Sequence, residues 1–256
     1  MDYEIIDFHT HPFLGPASNI CGYPGGGMEE SVSYLKGMGI SRICGSVICK
    51  TGEDMSPWET IQECNRLALV LRERYGDFYV PGFHVHPDYV TESCEEIEKM
   101  HALGLRLIGE LVPYIHGWRD YSCKAFDPIL DTAAQYGMIV SFHSIDDDNM
   151  DAMVRKHPDT LFVAAHPNEK PGYLRHLERM NLSENYYLDL SGTGLFRHRM
   201  LRHGIDTHGA HRFLFGSDYP TCNPAMFIGG VALDSLLTES EKQQILSGNA
   251  KRLLGL

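Results

Sequence analysis

The 256-residue sequence contains no long apolar segment and no excess of basic residues. A membrane-spanning helix needs about 18 consecutive apolar residues, and no such run occurs. Lysine and arginine number 22 against 34 aspartate and glutamate residues, so the formal net charge is -12. This charge opposes a broad surface for nucleic acid or anionic membrane, because both require a positive face, although it allows a small local basic pocket. We therefore expect a small-molecule substrate as partner, with neither nucleic acid nor membrane.

The sequence also lacks a signal-peptide pattern at its start and any Cys-x-x-Cys pair. Its seven cysteines are odd in number, which predicts reduced thiols, most of them small core residues, in a cytoplasmic protein. With 43% hydrophobic residues the chain can bury a sizeable core, and no linker-like stretch divides it. We predict one domain over residues 1–256. The oligomeric state stays open, with a homo-oligomer allowed.

Eight β-rich runs alternate with helix-like stretches along the whole chain. The runs cover residues 5–11, 41–48, 77–86, 105–111, 138–144, 161–167, 186–192 and 212–220. The helix-like stretches cover residues 29–38, 57–75, 91–103, 127–136, 150–157, 173–180, 195–203 and 224–237. Such alternation predicts an α/β fold with a parallel sheet, and eight units fit a closed (β/α)8 TIM barrel. An open doubly wound sheet is the alternative, but no Gly-x-Gly-x-x-Gly follows the first run.

Side chains that can bind a metal ion stand at the ends of five of these runs. Residues two apart in a strand face the same side, so the two histidines of the first run can point together. Singly, each residue is better explained as a hydrogen-bonded structural group or a helix cap. Together they predict a metal site at the carboxyl ends of the strands, where barrel enzymes place their chemistry. The six residues are His9, His11, Glu110, His143, His166 and Asp218.

The pattern resembles the amidohydrolase superfamily, and more narrowly the amidohydrolase-related family of metal-dependent decarboxylases and pyrone-dicarboxylate hydrolases. Five motifs carry the resemblance: IDFHTH at 6–11, SFH at 141–143, AHP at 165–167, GSDYP at 216–220 and GNAKRLLGL at 248–256. The resemblance implies that His9, His11 and Asp218 hold one metal ion. It implies that His143 completes this shell or supports a second ion, and that His166 binds the second ion or polarises the substrate.

One position departs from the superfamily pattern. Members with two metal ions often carry a carboxylated lysine at the end of the fourth strand, whereas this sequence has Glu110 there. Glu110 is similar to the glutamate that bridges two ions in TatD-type nucleases, which favours a binuclear centre. A TatD-like nuclease is the less favoured function, because the acidic charge and the GSDYP ending fit it poorly. We expect one or two divalent ions per chain, zinc first, with manganese allowed.

The predicted chemistry is metal-assisted hydrolysis. A divalent ion lowers the pKa of bound water from about 16 to about 7, and Asp218 is the candidate acid and base, beside His166. We predict a hydrolase that cleaves a C–O or C–N bond in an ester, lactone or amide. The alternative is a non-oxidative decarboxylase, in which the same site stabilises the enolate that remains after loss of carbon dioxide. A binding protein without catalysis is disfavoured, because all six positions are retained.

Candidate substrate contacts come from two loops. The stretch 112–124, after the fourth run, offers Tyr114, His116 and Arg119, and Arg197 follows the seventh run. An arginine can pair with a substrate carboxylate through two parallel hydrogen bonds, so the predicted substrate is small and carries a carboxylate. A solvated surface position explains Arg119 or Arg197 equally well.

Overall fold

The structure is a computed structural model that describes residues 3–16, 18, 20, 23, 26–50, 54–195 and 197–256. Cys21, one of the seven cysteines predicted to be reduced, lies outside these residues. The six described cysteines are free, but only Cys44 and Cys64 are buried, so most of these thiols are half-buried rather than core residues. None of the helices in the described ranges has the length and apolar character that a bilayer crossing requires.

Eight parallel strands follow one another around a single sheet in chain order. They are β1 (Ile5–Asp7), β2 (Ile40–Ser46), β3 (Tyr79–Phe83), β4 (Leu107–Leu111), β5 (Ile139–His143), β6 (Leu161–Ala165), β7 (Tyr186–Asp189) and β8 (Phe213–Leu214). The segments that follow β1 and β8 are joined by backbone hydrogen bonds, from Phe8 N to Phe215 O at 2.9 Å and from His11 N to Tyr219 O at 2.7 Å. The sheet thus curls back on itself, and the predicted TIM-barrel fold is confirmed against an open doubly wound sheet.

Helices lie between the strands and after the last one. They are α1 (Met28–Gly37), α2 (Pro57–Tyr75), α3 (Val90–Ala102), α4 (Asp127–Gln135), α5 (Asp147–Lys156), α6 (Lys170–Met180), α7 (Met200–His208), α8 (Pro224–Ala232), α9 (Glu239–Gln243) and α10 (Asn249–Leu254). α2 has the predicted bounds because Ser56 caps it in a reciprocal pair with Glu59 and Pro57 occupies its first turn.

Two helix predictions near the C-terminus are wrong. The helix expected at 195–203 begins only at Met200, as α7. Residue 196 lies outside the described residues, and Gly192 and Gly194, with positive φ angles of 61° and 126°, form a loop after β7. The helix expected to reach residue 237 stops at Ala232. Thr238 then caps a new helix through a reciprocal pair with Glu241, and α9, a π-helical stretch (Gln244–Gly248) and α10 follow.

The barrel interior is a packed apolar core beneath the polar strand ends. Seven of the eight strands or their immediate ends contribute to one buried cluster, and α10 adds Ala250, Leu253 and Leu254. Because side chains alternate along a strand, the inward row is apolar in the middle and becomes polar only at the carboxyl ends. The strand members are Ile6, Phe8, Cys44, Leu107, Ile139, Val163, Tyr187 and Leu214.

Gly109 fixes the course of β4 just before Glu110. Its φ angle is +88°, and a Cβ atom there would lie 2.2 Å from the backbone oxygen of Ser141 on β5. We expect Gly109→Ala to lower the free energy of unfolding by at least about 2 kcal/mol, from left-handed strain and overlap with the backbone. Thermal unfolding checks this. The matched control is Gly37→Ala, where a Cβ meets no atom within 4 Å; equal midpoints for the two variants would contradict the prediction.

Candidate metal centre

The structure brings all six predicted metal-binding residues together at the carboxyl ends of the strands. Their ligand atoms, with those of Asp189, form three groups in which all atoms lie within 4.8 Å of one another. The residues lie at the ends of β4 and β5 and in the segments that follow β1, β6 and β8, and closure of the barrel brings these ends together. The groups are His9 with His11 and Asp218, Glu110 with His143 and His166, and His9 with His166 and Asp189.

Glu110 occupies the middle of the site, and its two oxygens face opposite ways. Oε2 lies 3.3 Å from Nε2 of both His9 and His11. Oε1 lies 2.9 Å from His143 Nδ1 and 3.5 Å from His166 Nε2. Burial opposes ionisation of this carboxyl, yet the charge of His9 and hydrogen bonds from the surrounding histidines hold its pKa well below normal. The carboxylate therefore divides the site into two halves and belongs to both.

The first half consists of His9, His11 and Asp218. The Nε2 atoms of the two histidines are 3.1 Å apart, and Asp218 Oδ1 lies 3.5 Å from His11 Nε2 and 3.7 Å from His9 Nε2. Each Nδ1 faces an acceptor, Asp189 Oδ2 at 2.8 Å for His9 and Ser46 O at 3.1 Å for His11. When both Nδ1 atoms carry the hydrogen, the two Nε2 lone pairs point at the same space.

This donor set fits a cation. Two facing imidazole lone pairs and two carboxylate oxygens repel one another unless a positive charge lies between them. Burial opposes a charge on His9, but the carboxylates of Asp189 and Glu110 raise its pKa well above normal. Mixed nitrogen and oxygen donors are typical of zinc and of similar divalent ions.

The second half consists of Glu110, His143 and His166. His166 turns Nε2 towards Glu110, while its Nδ1 lies 3.0 Å from Ser191 Oγ. The backbone of His166 has a φ angle of +69°, and Gly192 passes so close that a Cβ there would lie 2.4 Å from Nδ1. The glycine loop after β7 thus holds this ring in place.

Asp189, at the end of β7, is a positioning residue that the sequence analysis missed. It is fully buried, binds His9 Nδ1 through Oδ2, and accepts a hydrogen bond from the Ser191 amide at 2.9 Å through Oδ1. Burial opposes its charge, but His9 lowers its pKa below the ordinary value. Its position in the sequence could have identified it, because Asp189 is a carboxylate in the apolar run YYLDL at a strand end, as the six predicted residues are at theirs.

We expect Asp189→Asn to weaken metal binding about 10- to 100-fold, because the hydrogen-bond partner of a ligating histidine orients the ring and raises its basicity. The dissociation constant would be measured by competition with a chelating dye. Asp148→Asn is the matched control, since this carboxylate is almost fully exposed and, within the described residues, its one ion pair is with Arg175 at 3.4 Å. Equal metal affinity in the two variants would remove Asp189 from this role.

The four predicted substrate contacts divide into two pairs. Tyr114 lies at the mouth of the barrel, above the metal-binding residues, with its ring centroid 5.5 Å from that of His143. Arg119 lines an adjoining cavity with Tyr114. His116 and Arg197, which were predicted as substrate contacts, do not line the cavity at the metal-binding residues. A 3-10 turn (Pro113–Ile115) directs His116 into the interior.

His116 and Arg197 have other surroundings. The ring of His116 packs against His84 at 4.9 Å between centroids. Arg197 pairs with Glu169 and lines a separate cavity beside α6 and α7, because the glycine loop carries it away from the strand ends.

A cavity of about 240 Å³ opens above the metal-binding residues. The floor of this cavity is polar and its sides are apolar. Ile115 lines one side, whereas the neighbouring His116 does not line the cavity. A volume of this size admits a small substrate with an apolar portion. The lining residues include Glu110, His143, His166 and Asp218 below and Ile48, Val112 and Ile115 at the sides.

Several solved structures have a similar fold. 5-Carboxyvanillate decarboxylase from Sphingomonas paucimobilis matches with a TM-score of 0.76 and 15% identity over 100% of both chains. A dihydroxybenzoic acid decarboxylase from Polaromonas sp. JS666, solved with manganese and the inhibitor 2-nitroresorcinol, has a TM-score of 0.75 and 14% identity over 99% of this chain and 97% of that one. A probable 2-pyrone-4,6-dicarboxylic acid hydrolase from Acinetobacter baumannii has a TM-score of 0.67 and 15% identity over 99% of this chain and 100% of that one.

These identities support the fold and not a shared activity. A search of functionally curated proteins gives no match. The sequence profile of the family described as Amidohydrolase, in contrast, matches residues 6–256. That range contains the motifs from IDFHTH to GNAKRLLGL and every side chain of the candidate metal centre. The chain therefore belongs to the Amidohydrolase family, as its motifs predict.

Proposed function

We propose that this protein is a metal-dependent hydrolase that cleaves a C–O or C–N bond in a small, carboxylate-bearing ester, lactone or amide. One observation carries the proposal: the two oxygens of Glu110 face two separate groups of ligand atoms. Such a carboxylate is suited to bridging two ions, and paired metal sites are typical of enzymes that activate water.

The proposed ligands follow from the two halves of the site. His9, His11 and Asp218 would hold one ion, His143 and His166 the other, and Glu110 would contribute to both. Bound there, divalent ions would lower the pKa of water and polarise a substrate carbonyl oxygen. We propose zinc from the nitrogen and oxygen donors; manganese is the alternative, and a structural neighbour binds it.

Asp218 is the proposed general base and acid. Its side chain is 14% exposed and lines the cavity, so a water molecule and a substrate can both reach it. As the water oxygen bonds to the carbonyl carbon, the Asp218 carboxylate takes the water proton. It returns that proton to the leaving oxygen or nitrogen when the C–O or C–N bond breaks. His166, also in the cavity floor, would either hold the second ion or, in a site with one ion, polarise the carbonyl oxygen directly.

Arg119 is the proposed anchor for the substrate carboxylate. It is exposed at the rim, shares its cavity with Tyr114, and has no carboxylate partner in the described part of the chain. Tyr114 also lines the cavity above Glu110, so the two spaces are neighbours. A small substrate could place its carboxylate at Arg119 and its scissile bond over the metal-binding residues.

We expect Arg119→Gln to raise KM about tenfold or more while kcat changes little, because the lost pair contributes to binding away from the reacting bond. Steady-state kinetics measure both constants, with the substrate that the panel experiment described below identifies. Lys124→Gln, which removes an exposed charge from the same loop, is the matched control. An unchanged KM would mean that Arg119 is a solvated surface residue that does not bind the substrate.

Non-oxidative decarboxylation is the second candidate. It is supported as well as hydrolysis is, since the structural neighbours include both decarboxylases, with TM-scores of 0.75 and 0.76, and a probable pyrone-dicarboxylate hydrolase, with a TM-score of 0.67. The same residues would bind the carboxylated substrate, and a protonated group would deliver a proton to the carbon that loses carbon dioxide.

One experiment separates the two reactions. The metal-loaded enzyme is incubated with a panel of lactones, esters, amides and aromatic carboxylates in water labelled with heavy oxygen. Hydrolysis adds a labelled oxygen to the product, whereas decarboxylation releases carbon dioxide and leaves the product unlabelled. Asp218→Asn is the control for enzyme-dependent turnover. Carbon dioxide release without labelled product would replace the hydrolase assignment by the decarboxylase.

A further inference from the structure

A second cavity lies at the opposite end of the barrel, and three arginines line it. Its volume is about 270 Å³, and it contains Arg42, Arg72 and Arg106. Arg42 lies near the start of β2, Arg72 lies on α2, and Arg106 immediately precedes β4. These positions belong to the amino ends of the strands, so this cavity is remote from Glu110 and its neighbours at the carboxyl ends.

The three arginines differ from most others in the chain by their lack of carboxylate partners. Seven arginines elsewhere pair with aspartate or glutamate: Arg66, Arg74, Arg175, Arg179, Arg197, Arg202 and Arg212. Within the described residues, Arg42, Arg72 and Arg106 pair with none, although Asp77 also lines the cavity. In a chain of net charge -12, three half-buried guanidinium groups outnumber the one carboxylate side chain, Asp77, in the lining of this cavity and form a local positive site.

Two of the guanidinium groups are held in place by backbone oxygens. Arg72 donates to Leu103 O at 2.8 Å, and Arg106 donates to Gly137 O at 3.0 Å. A guanidinium carries five N–H donors, so each of these arginines retains donors for the cavity. Arg42 makes no hydrogen bond or ion pair within the described part of the chain, so all five of its N–H donors are available. Three like charges around one space favour an anion between them.

We propose that this cavity binds a phosphate group, either as inorganic phosphate or as a small phosphomonoester. A tetrahedral dianion presents oxygens in several directions and can accept from guanidinium groups that approach from three different elements, whereas one planar carboxylate is matched by a single arginine. Leu105, Leu254 and Pro81 add apolar wall beside the charges, which suits the organic part of an ester. Neither metal binding nor hydrolysis is needed for this interaction.

The test is calorimetric titration of the metal-loaded full chain at fixed ionic strength. The probes are inorganic phosphate and glycerol 3-phosphate, and the tighter ligand identifies the source of the phosphate. Arg42→Gln should weaken binding of that ligand about tenfold, since a charge-assisted contact is lost. Arg155→Gln removes an exposed charge from α5 and should bind like the wild type. Arg42→Lys, which keeps the charge without the planar fork, should fall between the two.

The design separates this cavity from the metal centre, where phosphate can also bind. Arg42→Gln should retain its metal content and turnover, because Arg42 lies at the other end of the barrel. Equal phosphate affinity in Arg42→Gln, Arg155→Gln and the wild type would overturn the proposal and leave the metal centre as the binding site. Should Arg42→Gln fail to fold, Arg106→Gln provides the same comparison.

Discussion

Replacing Glu110 with glutamine is expected to reduce the bound metal from about two equivalents per chain to at most one, and turnover by about a thousandfold or more. The reason is geometric. Oε2 serves His9 and His11, and Oε1 serves His143 and His166. A glutamine keeps one acceptor oxygen and replaces the other with an amide that donates hydrogen bonds and cannot bind a cation. One half of the site therefore loses its anionic ligand.

Elemental analysis of protein purified without chelator or an affinity metal is the measurement. Glu92→Gln, an exposed position on α3, is the matched control for the lost charge. Two equivalents retained in Glu110→Gln would make Glu110 a hydrogen-bonding group that only orients the histidines. About one equivalent in the wild type itself would remove the bridge and strengthen the decarboxylase alternative.

Asp218→Asn is expected to lower turnover by about a thousandfold or more while the fold persists, because an amide cannot accept the water proton. The substitution preserves shape, and the φ angle of Asp218 is +64°, a left-handed conformation that asparagine tolerates better than most residues. Turnover, metal content and the thermal midpoint should be measured together, since Asp218 also faces His9 and His11.

Asp159→Asn is the control, because that carboxylate is exposed in a turn remote from the cavity. Near-normal turnover in Asp218→Asn would remove it from proton transfer. A loss of turnover that is fully restored by excess metal would assign it to metal binding alone.

The candidate metal-binding residues could be predicted because their positions follow from local rules. Alternation in an extended segment puts His9 and His11 on one side, and the eight-unit pattern puts Glu110, His143 and His166 at the same end of their strands. Asp189 obeys the same rule, at the end of β7, but it belongs to no recognised motif. Its role depends on a 2.8 Å contact with His9, which is 180 residues away in the sequence.

Loop residues could not be placed by the same reasoning. Tyr114 and His116 are two residues apart in one loop, yet a single 3-10 turn leaves the first at the mouth and buries the second. Arg197 was predicted as a candidate substrate contact because it follows β7, but Gly192 and Gly194 redirect the chain before Arg197 is reached. Backbone dihedral angles in such loops are set by contacts with other segments, which a sequence pattern does not contain.

The sequence by itself determined the number and order of the strands, the family and the six metal-competent side chains, because periodicity and strand-end position are local properties of the chain. Only the tertiary structure decided how those side chains divide around Glu110, that Asp189 holds His9, and that Arg42, Arg72 and Arg106 share one cavity. These relations join residues that are far apart in sequence and depend on distances of about 3 Å, which closure of the barrel and the packing of its loops establish.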